Sequence, residues 1–178
     1  MSRLMFHLCQ TDLGWVGLVL SDHGLRATTL PRAKRAEALR EITDMGAVEP
    51  VPERELADIP ERICALVSGR HANLAFHIDW NGITGFRRAV MEEAIRIPQG
   101  QTRSYGWLAE KAGHPRAARA VGRVMATNPL PLVVPCHRVV GSDGGLHGYG
   151  GGLPMKEALL RAEGAPAAAG KQQERLRR

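Results

Sequence analysis

The chain has 178 residues, 44% of them apolar, and carries 24 Lys and Arg against 18 Asp and Glu, a net charge of +6. That composition fits one or two small globular domains with a real core, and the lack of any apolar run of about 18 residues excludes a membrane-spanning helix. The N-terminus MSRLMFHLCQ lacks the pattern of a signal peptide, and cysteines as far apart as 9, 64 and 136 argue against a disulfide framework and for a reducing cytoplasm.

The charge is unevenly placed. Residues 1–82 carry 9 Lys and Arg against 11 Asp and Glu, residues 83–164 carry 11 against 6, and residues 165–178 carry 4 against 1. A basic C-terminal half fits a polyanionic partner, nucleic acid first, or simply a solvated basic surface.

In chain order, LMFHLCQTDLGWVGLVLSDHGLRATTL alternates apolar and polar residues between glycine turns and reads as strands. Ala33 to Ile42 reads as a short amphipathic helix with Ala36, Leu39 and Ile42 on one face. GAVEPVPERELADIP reads as a loop, Ile59 to Ser68 as a second helix, and LAFHIDW as a last strand before a domain boundary at Asn81-Gly82. Thr84 is placed to cap a helix from Gly85 to Ile97, and Ser104 one running to Ala112. A third helix, RAARAVGRVMA, opens after His114-Pro115. Two short helices across a glycine turn read as a helix–turn–helix. A final helix runs from Pro154 to Glu163 with Gly164 as its stop. The expected architecture is α+β: an N-terminal α/β domain (1–82) with a small antiparallel sheet, a mainly helical domain (83–164), and a flexible basic tail (165–178).

Arg116, Arg119 and Arg123 fall at i, i+3 and i+7, one stripe of a helix, among the small residues Ala117, Ala118, Ala120 and Gly122. Small side chains allow close approach to DNA, including shallow insertion into a minor groove. The alternative is a solvated face whose alanines serve helix propensity.

Cys136, in VPCHRVVGSDG, admits three readings: a small core residue, a metal ligand or a nucleophile. No second cysteine stands at zinc-ligand spacing, so no metal site is expected. A nucleophile needs a base and a group to hold that base. His137 is adjacent, placed to act through a bridging water, and Glu163 is a carboxylate that a compact fold brings back. GSDGGLHGYGGG lacks the Lys-Ser/Thr of a phosphate loop. It reads as the wall of a flat pocket, with backbone N–H groups and the Tyr149 ring to meet a planar base, or as a plain surface loop. Asn128, before Pro129-Leu130-Pro131, reads as a turn residue.

From Gly85 to Gly164, and above all in RAVGRVMATNPLPLVVPCHRVVGSDGGLHGYGGGLPMKEALLRAEG, the chain resembles the O6-alkylguanine-DNA alkyltransferases (methylated-DNA–protein-cysteine methyltransferases). The resemblance implies direct repair of alkylated duplex DNA. Cys136 is then the alkyl acceptor, and His137 and Glu163 form a Glu–His–water–Cys relay. Asn128 is the hinge that braces the cysteine turn. Tyr105 acts on the flipped nucleotide and donates to the base. Pro131, Val139, Tyr149 and Gly150 line the guanine pocket. Arg119 is the finger that enters the base stack, and Arg116, Ala117, Ala118, Gly122 and Arg123 lie along the minor groove.

A base inside a duplex must be flipped out to meet a buried sulfur. No cofactor is needed, and a thioether has no easy leaving group, so each molecule acts once. The resemblance points to O6-alkylguanine as substrate and leaves O4-alkylthymine open. It implies a monomeric cytoplasmic protein, nucleoid-associated in a bacterium. Two departures stand out: Met91 where many relatives carry tryptophan, and His147 in the pocket loop, expected to narrow the pocket against bulky adducts. A lesion-binding module without chemistry is disfavoured by Cys136, His137 and Glu163 together, and a regulator by the lack of clustered cysteines.

Overall fold

The structure is a computed structural model and describes residues 3–73 and 75–166. The described residues form two compact units. One runs up to Gly82 and takes in Pro129–Val133; the other holds Ile83–Asn128 and the chain from Val134 onward. The segment 129–133, read from sequence as part of the second domain, thus groups with the first unit.

In the first unit β1 (Met5–Thr11), β2 (Gly14–Ser21) and β3 (Gly24–Thr28) pair antiparallel. The two-residue β4 (Glu49–Pro50) joins β1 in parallel, giving the order β3-β2-β1-β4. The sheet is therefore mixed rather than wholly antiparallel, and β4 lies within the stretch read as a loop. Helix α1 (Arg35–Asp44) packs over β2 and β1, and α2 (Ile59–Val67) over β1. Side chains alternate along a strand. Phe6, Leu8 and Val19 meet Ile42 of α1, whereas the Cys9 thiol lies within reach of Cys64 of α2 on the other face. Gly17 sits under α1, where a Cβ would lie 2.6 Å from Ile42 Cγ2. Its lack of a side chain is what lets the helix settle on the sheet.

Helix α1 begins two residues later than its apolar spacing indicates, because Lys34 is still extended and its N–H donates to Glu37 Oε2 at 3.4 Å. LAFHIDW is not a strand. Its described residues make one parallel bridge, Ile78 to Leu25, after which Asp79 turns inward to accept from Ser21 Oγ at 2.7 Å. Satisfying that carboxylate ends the pairing; Leu74 lies outside the described residues.

In the second unit α3 (Gly85–Ile95), α4 (Tyr105–Lys111) and α5 (Ala118–Ala126) pack on one another. Met91, on α3, is fully buried in this core. Ser104 Oγ accepts from Trp107 N at 3.0 Å and starts α4; Thr84 makes no such bond at α3. Gly113, at φ +81, opens the turn between α4 and α5, the connectivity expected of a helix–turn–helix. Strands β5 (Arg103–Ser104) and β6 (Val139–Val140) pair in parallel. Helix α6 (Leu153–Ala162) packs on the 3-10 turn Cys136–Arg138. No helix among the described residues is long and apolar enough to cross a membrane. Of the tail 165–178, residues 167–178 lie outside the described residues.

Candidate active site

The 3-10 turn that carries Cys136 is tightly held. Cys136 N donates to Val134 O at 2.7 Å and Arg138 N to Pro135 O at 2.9 Å. Asn128 Nδ2 donates to Val134 O at 2.9 Å, so the residue just past α5 fixes the backbone entering the turn. Cys136, His137 and Arg138 are all buried. Strand β6 follows the turn at once. Because β6 pairs with β5, Tyr105 at the start of α4 is brought to the same neighbourhood.

Glu163, just after α6, lies between His137 and Arg138. His137 Nε2 is 2.8 Å from Glu163 Oε1. Arg138 Nη2 donates to Oε1 at 2.7 Å and Nε to Oε2 at 3.0 Å, while Nη1 donates to Ile97 O at 2.7 Å. The carboxylate is 1% exposed. Burial alone would raise its pKa, but hydrogen bonds from His137 and Arg138 outweigh that and hold it down at about 2. An ionised Glu163 only accepts, so His137 Nε2 must carry the hydrogen. Burial pushes the imidazole pKa down, leaving a neutral ring. Its Nδ1 is then an unprotonated lone pair, buried and with no hydrogen-bond partner among the described residues. A neutral histidine with one nitrogen fastened and the other free is a base waiting for a proton.

Burial pushes the Cys136 thiol up, opposed by hydrogen bonds from Asn128 and Tyr149 and by the charge of Lys156. The Tyr149 hydroxyl has no oxygen or nitrogen partner, and it is held protonated by burial and by the nearby sulfur. Tyr105 is half-buried and likewise pushed up, by burial first and then by Cys136. The site therefore gathers a thiol, a neutral base and two phenols that keep their protons.

The chain is 38% identical over 160 residues to the methylated-DNA–protein-cysteine methyltransferase of Mycobacterium leprae, a match covering 89% of this chain and 93% of that one. The chain belongs to the methylated-DNA–protein-cysteine methyltransferase family. The model of the 6-O-methylguanine DNA methyltransferase DNA-binding domain matches residues 85–165, the stretch that holds the whole cysteine site. Among solved structures, Mycobacterium tuberculosis O6-methylguanine methyltransferase aligns with a TM-score of 0.71 at 31% identity, covering 98% of this chain and 99% of that one. Mycobacterium tuberculosis OGT in complex with DNA aligns with a TM-score of 0.72 at 33% identity, covering 92% and 96%. The α+β fold is thus that of methylated-DNA–protein-cysteine methyltransferases.

Cys136, His137, Glu163, Tyr105, Asn128, Val139 and Tyr149 lie in the second unit around the 3-10 turn, and Gly150 lies in the loop that follows. Pro131 is grouped differently. It belongs to the first unit, where Thr28 Oγ1 donates to its carbonyl at 2.6 Å. Of the arginine stripe, Arg119 and Arg123 stand exposed on α5, but Arg116 and Ala117 precede the helix. The backbone there is a turn, Ala117 N donating to His114 O at 2.9 Å, so the stripe is two arginines rather than three. The His147 side chain is 60% exposed, with Nε2 3.3 Å from Asp143 Oδ1. That contact fastens the loop to itself.

Two site residues gave no functional signal in the sequence. Arg138 stood only as part of a quoted string, and Lys156 was not singled out. Both are fully buried. A cation in an otherwise apolar stripe, as in LPMKEALL, is the only sequence trace of the second.

Proposed function

We propose that the protein repairs DNA by moving the alkyl group of O6-alkylguanine onto the Cys136 sulfur. The observation that carries this reading is the buried Cys136 turn beside a histidine whose Nε2 is fastened to Glu163 and whose Nδ1 is free. The Cys136 proton passes through a water to His137 Nδ1, and the resulting imidazolium is stabilised by Glu163, which Arg138 keeps ionised. The sulfur bonds to the alkyl carbon as the carbon–O6 bond breaks. Guanine leaves with its charge neutralised by a proton from Tyr105, and the phenolate left behind, whose pKa burial raises, regains a proton through solvent as the His137 imidazolium gives its own up.

The target base is flipped from the duplex to reach a sulfur only 6% exposed. Arg119 takes its place in the stack, Arg123 and Arg116 meet phosphates, and Ala117, Ala118 and Gly122 let the minor groove come close. Val139, Tyr149 and Gly150 serve as base-pocket contacts, and Asn128 braces the turn. No cofactor takes part, and the thioether product ends the molecule's activity after one turnover. The test uses a duplex with a labelled methyl group on guanine O6. Label should reach the Cys136 peptide in a one-to-one yield, and Cys136→Ala should take none. Tight binding of the lesion with no label on the protein would instead make it a damage-recognition module.

A further inference from the structure

Lys156 is 0% exposed. Its Nζ donates to Val139 O at 2.7 Å and to His147 O at 3.4 Å, and it lies 6.0 Å from the centroid of the Tyr105 ring and 5.8 Å from that of Tyr149. Among the described residues it has no carboxylate partner. Glu163 is taken by His137 and Arg138, Asp143 faces Gly145 N and His147, and Glu157 pairs with Arg161. A buried ammonium is ordinarily paired with a charge. Here burial pulls the Lys156 pKa down, and Cys136 is the charge that pulls it back. The same two tyrosines that flank the ammonium also feel Cys136, so sulfur and ammonium share one chamber.

We infer that Lys156 is a positioning residue for the transfer reaction: its ammonium, held by the Val139 carbonyl and two tyrosine faces, is the fixed counter-charge of the Cys136 thiolate. This deepens the alkyl-transfer reading and rests on it. The ionisable groups that feel the sulfur are Tyr105 from α4, Tyr149 from the loop and Lys156 from α6; His137, next in the turn, is fastened to Glu163, which Arg138 also holds. Of these, Tyr105 and Tyr149 stay neutral, so Lys156 is the positive charge already in place before the thiol proton reaches His137. The same charge helps keep His137 unprotonated, and therefore able to take the thiol proton. No bond to Lys156 forms or breaks. When the sulfur becomes a neutral thioether, the ammonium loses its counter-charge.

The test follows Cys136 ionisation without DNA, from the pH profile of iodoacetamide modification of the Cys136 peptide in the full chain. In Lys156→Met the midpoint should rise by about one unit, a rate about tenfold lower at neutral pH, and Lys156→Arg should restore most of it. The second measurement needs no change at Lys156. The coupling is reciprocal, so the Lys156 side-chain resonance should titrate at lower pH in Cys136→Ser than in the parent. An unmoved Cys136 midpoint in a folded Lys156→Met, or identical Lys156 titrations with and without the thiol, overturns the inference. If the parent fails to accept the labelled methyl group while both shifts appear, the transfer reading falls and the charge pairing stands.

Discussion

Replacing Glu163 by Gln keeps the shape of the side chain and removes its charge. In the folded protein the carboxyl pKa is held at about 2 instead of an ordinary 4.5. At about 1.4 kcal/mol per unit, that difference corresponds to about 3 kcal/mol of stability at pH 7. The figure agrees with the roughly 3–5 kcal/mol expected when one partner of a buried pair is removed, here leaving Arg138 without its bidentate acceptor. The folded pKa is depressed, so this stabilisation is complete above the unfolded value and is lost as pH falls through the folded one. The gap between parent and Glu163→Gln should therefore be about 3 kcal/mol at pH 7, roughly half that at pH 3, and close to zero below pH 2. Urea unfolding of both proteins across that range measures the gap, and taking the difference cancels the other carboxylates. A gap below about 1 kcal/mol at pH 7, or one that stays constant down to pH 3, would refute the charge-held network.

Three further outcomes are expected. Gly17→Ala places a methyl group 2.6 Å from Ile42 Cγ2 and should cost about 1–3 kcal/mol in urea unfolding; an unchanged midpoint would mean that α1 is not seated on β2 as described. Arg119→Ala, exposed on α5, should weaken duplex binding without altering the melting temperature, and Arg123→Ala should lower the salt slope of binding by about one phosphate contact. Burial pushes the Cys9 thiol up to about 12. Its folded value is raised, so its stabilisation is present below the unfolded pKa and lost as pH rises through about 12. Cys9→Ala should flatten the alkaline fall in stability, which thermal melts between neutral and high pH would detect.

The sequence by itself determined much of this protein because much of the signal is local. Period-two alternation marked β1 to β3, Ser104 marked the start of α4, and Gly164 marked the end of α6. PCHRV, together with upstream RAVG and NP, carried the family resemblance. Cys136, His137 and Glu163 were legible as candidates from residue type alone. Only the tertiary structure decided how they meet. The 26 residues that separate His137 from Glu163 carry no information about a 2.8 Å contact; that distance exists because α6 packs on the cysteine turn. The tautomer of His137 follows from that contact and could not be read earlier.

Arg116 was misplaced because helix propensity does not reveal that its backbone still belongs to the turn. LAFHIDW failed as a strand because alternation does not say whether a partner edge is available, and the buried Asp79 bond to Ser21 ended the pairing. Lys156 was invisible for a related reason. Whether a lysine faces water or a sulfur is set by which face of its helix the rest of the chain covers, and that is a property of packing rather than of neighbours in sequence.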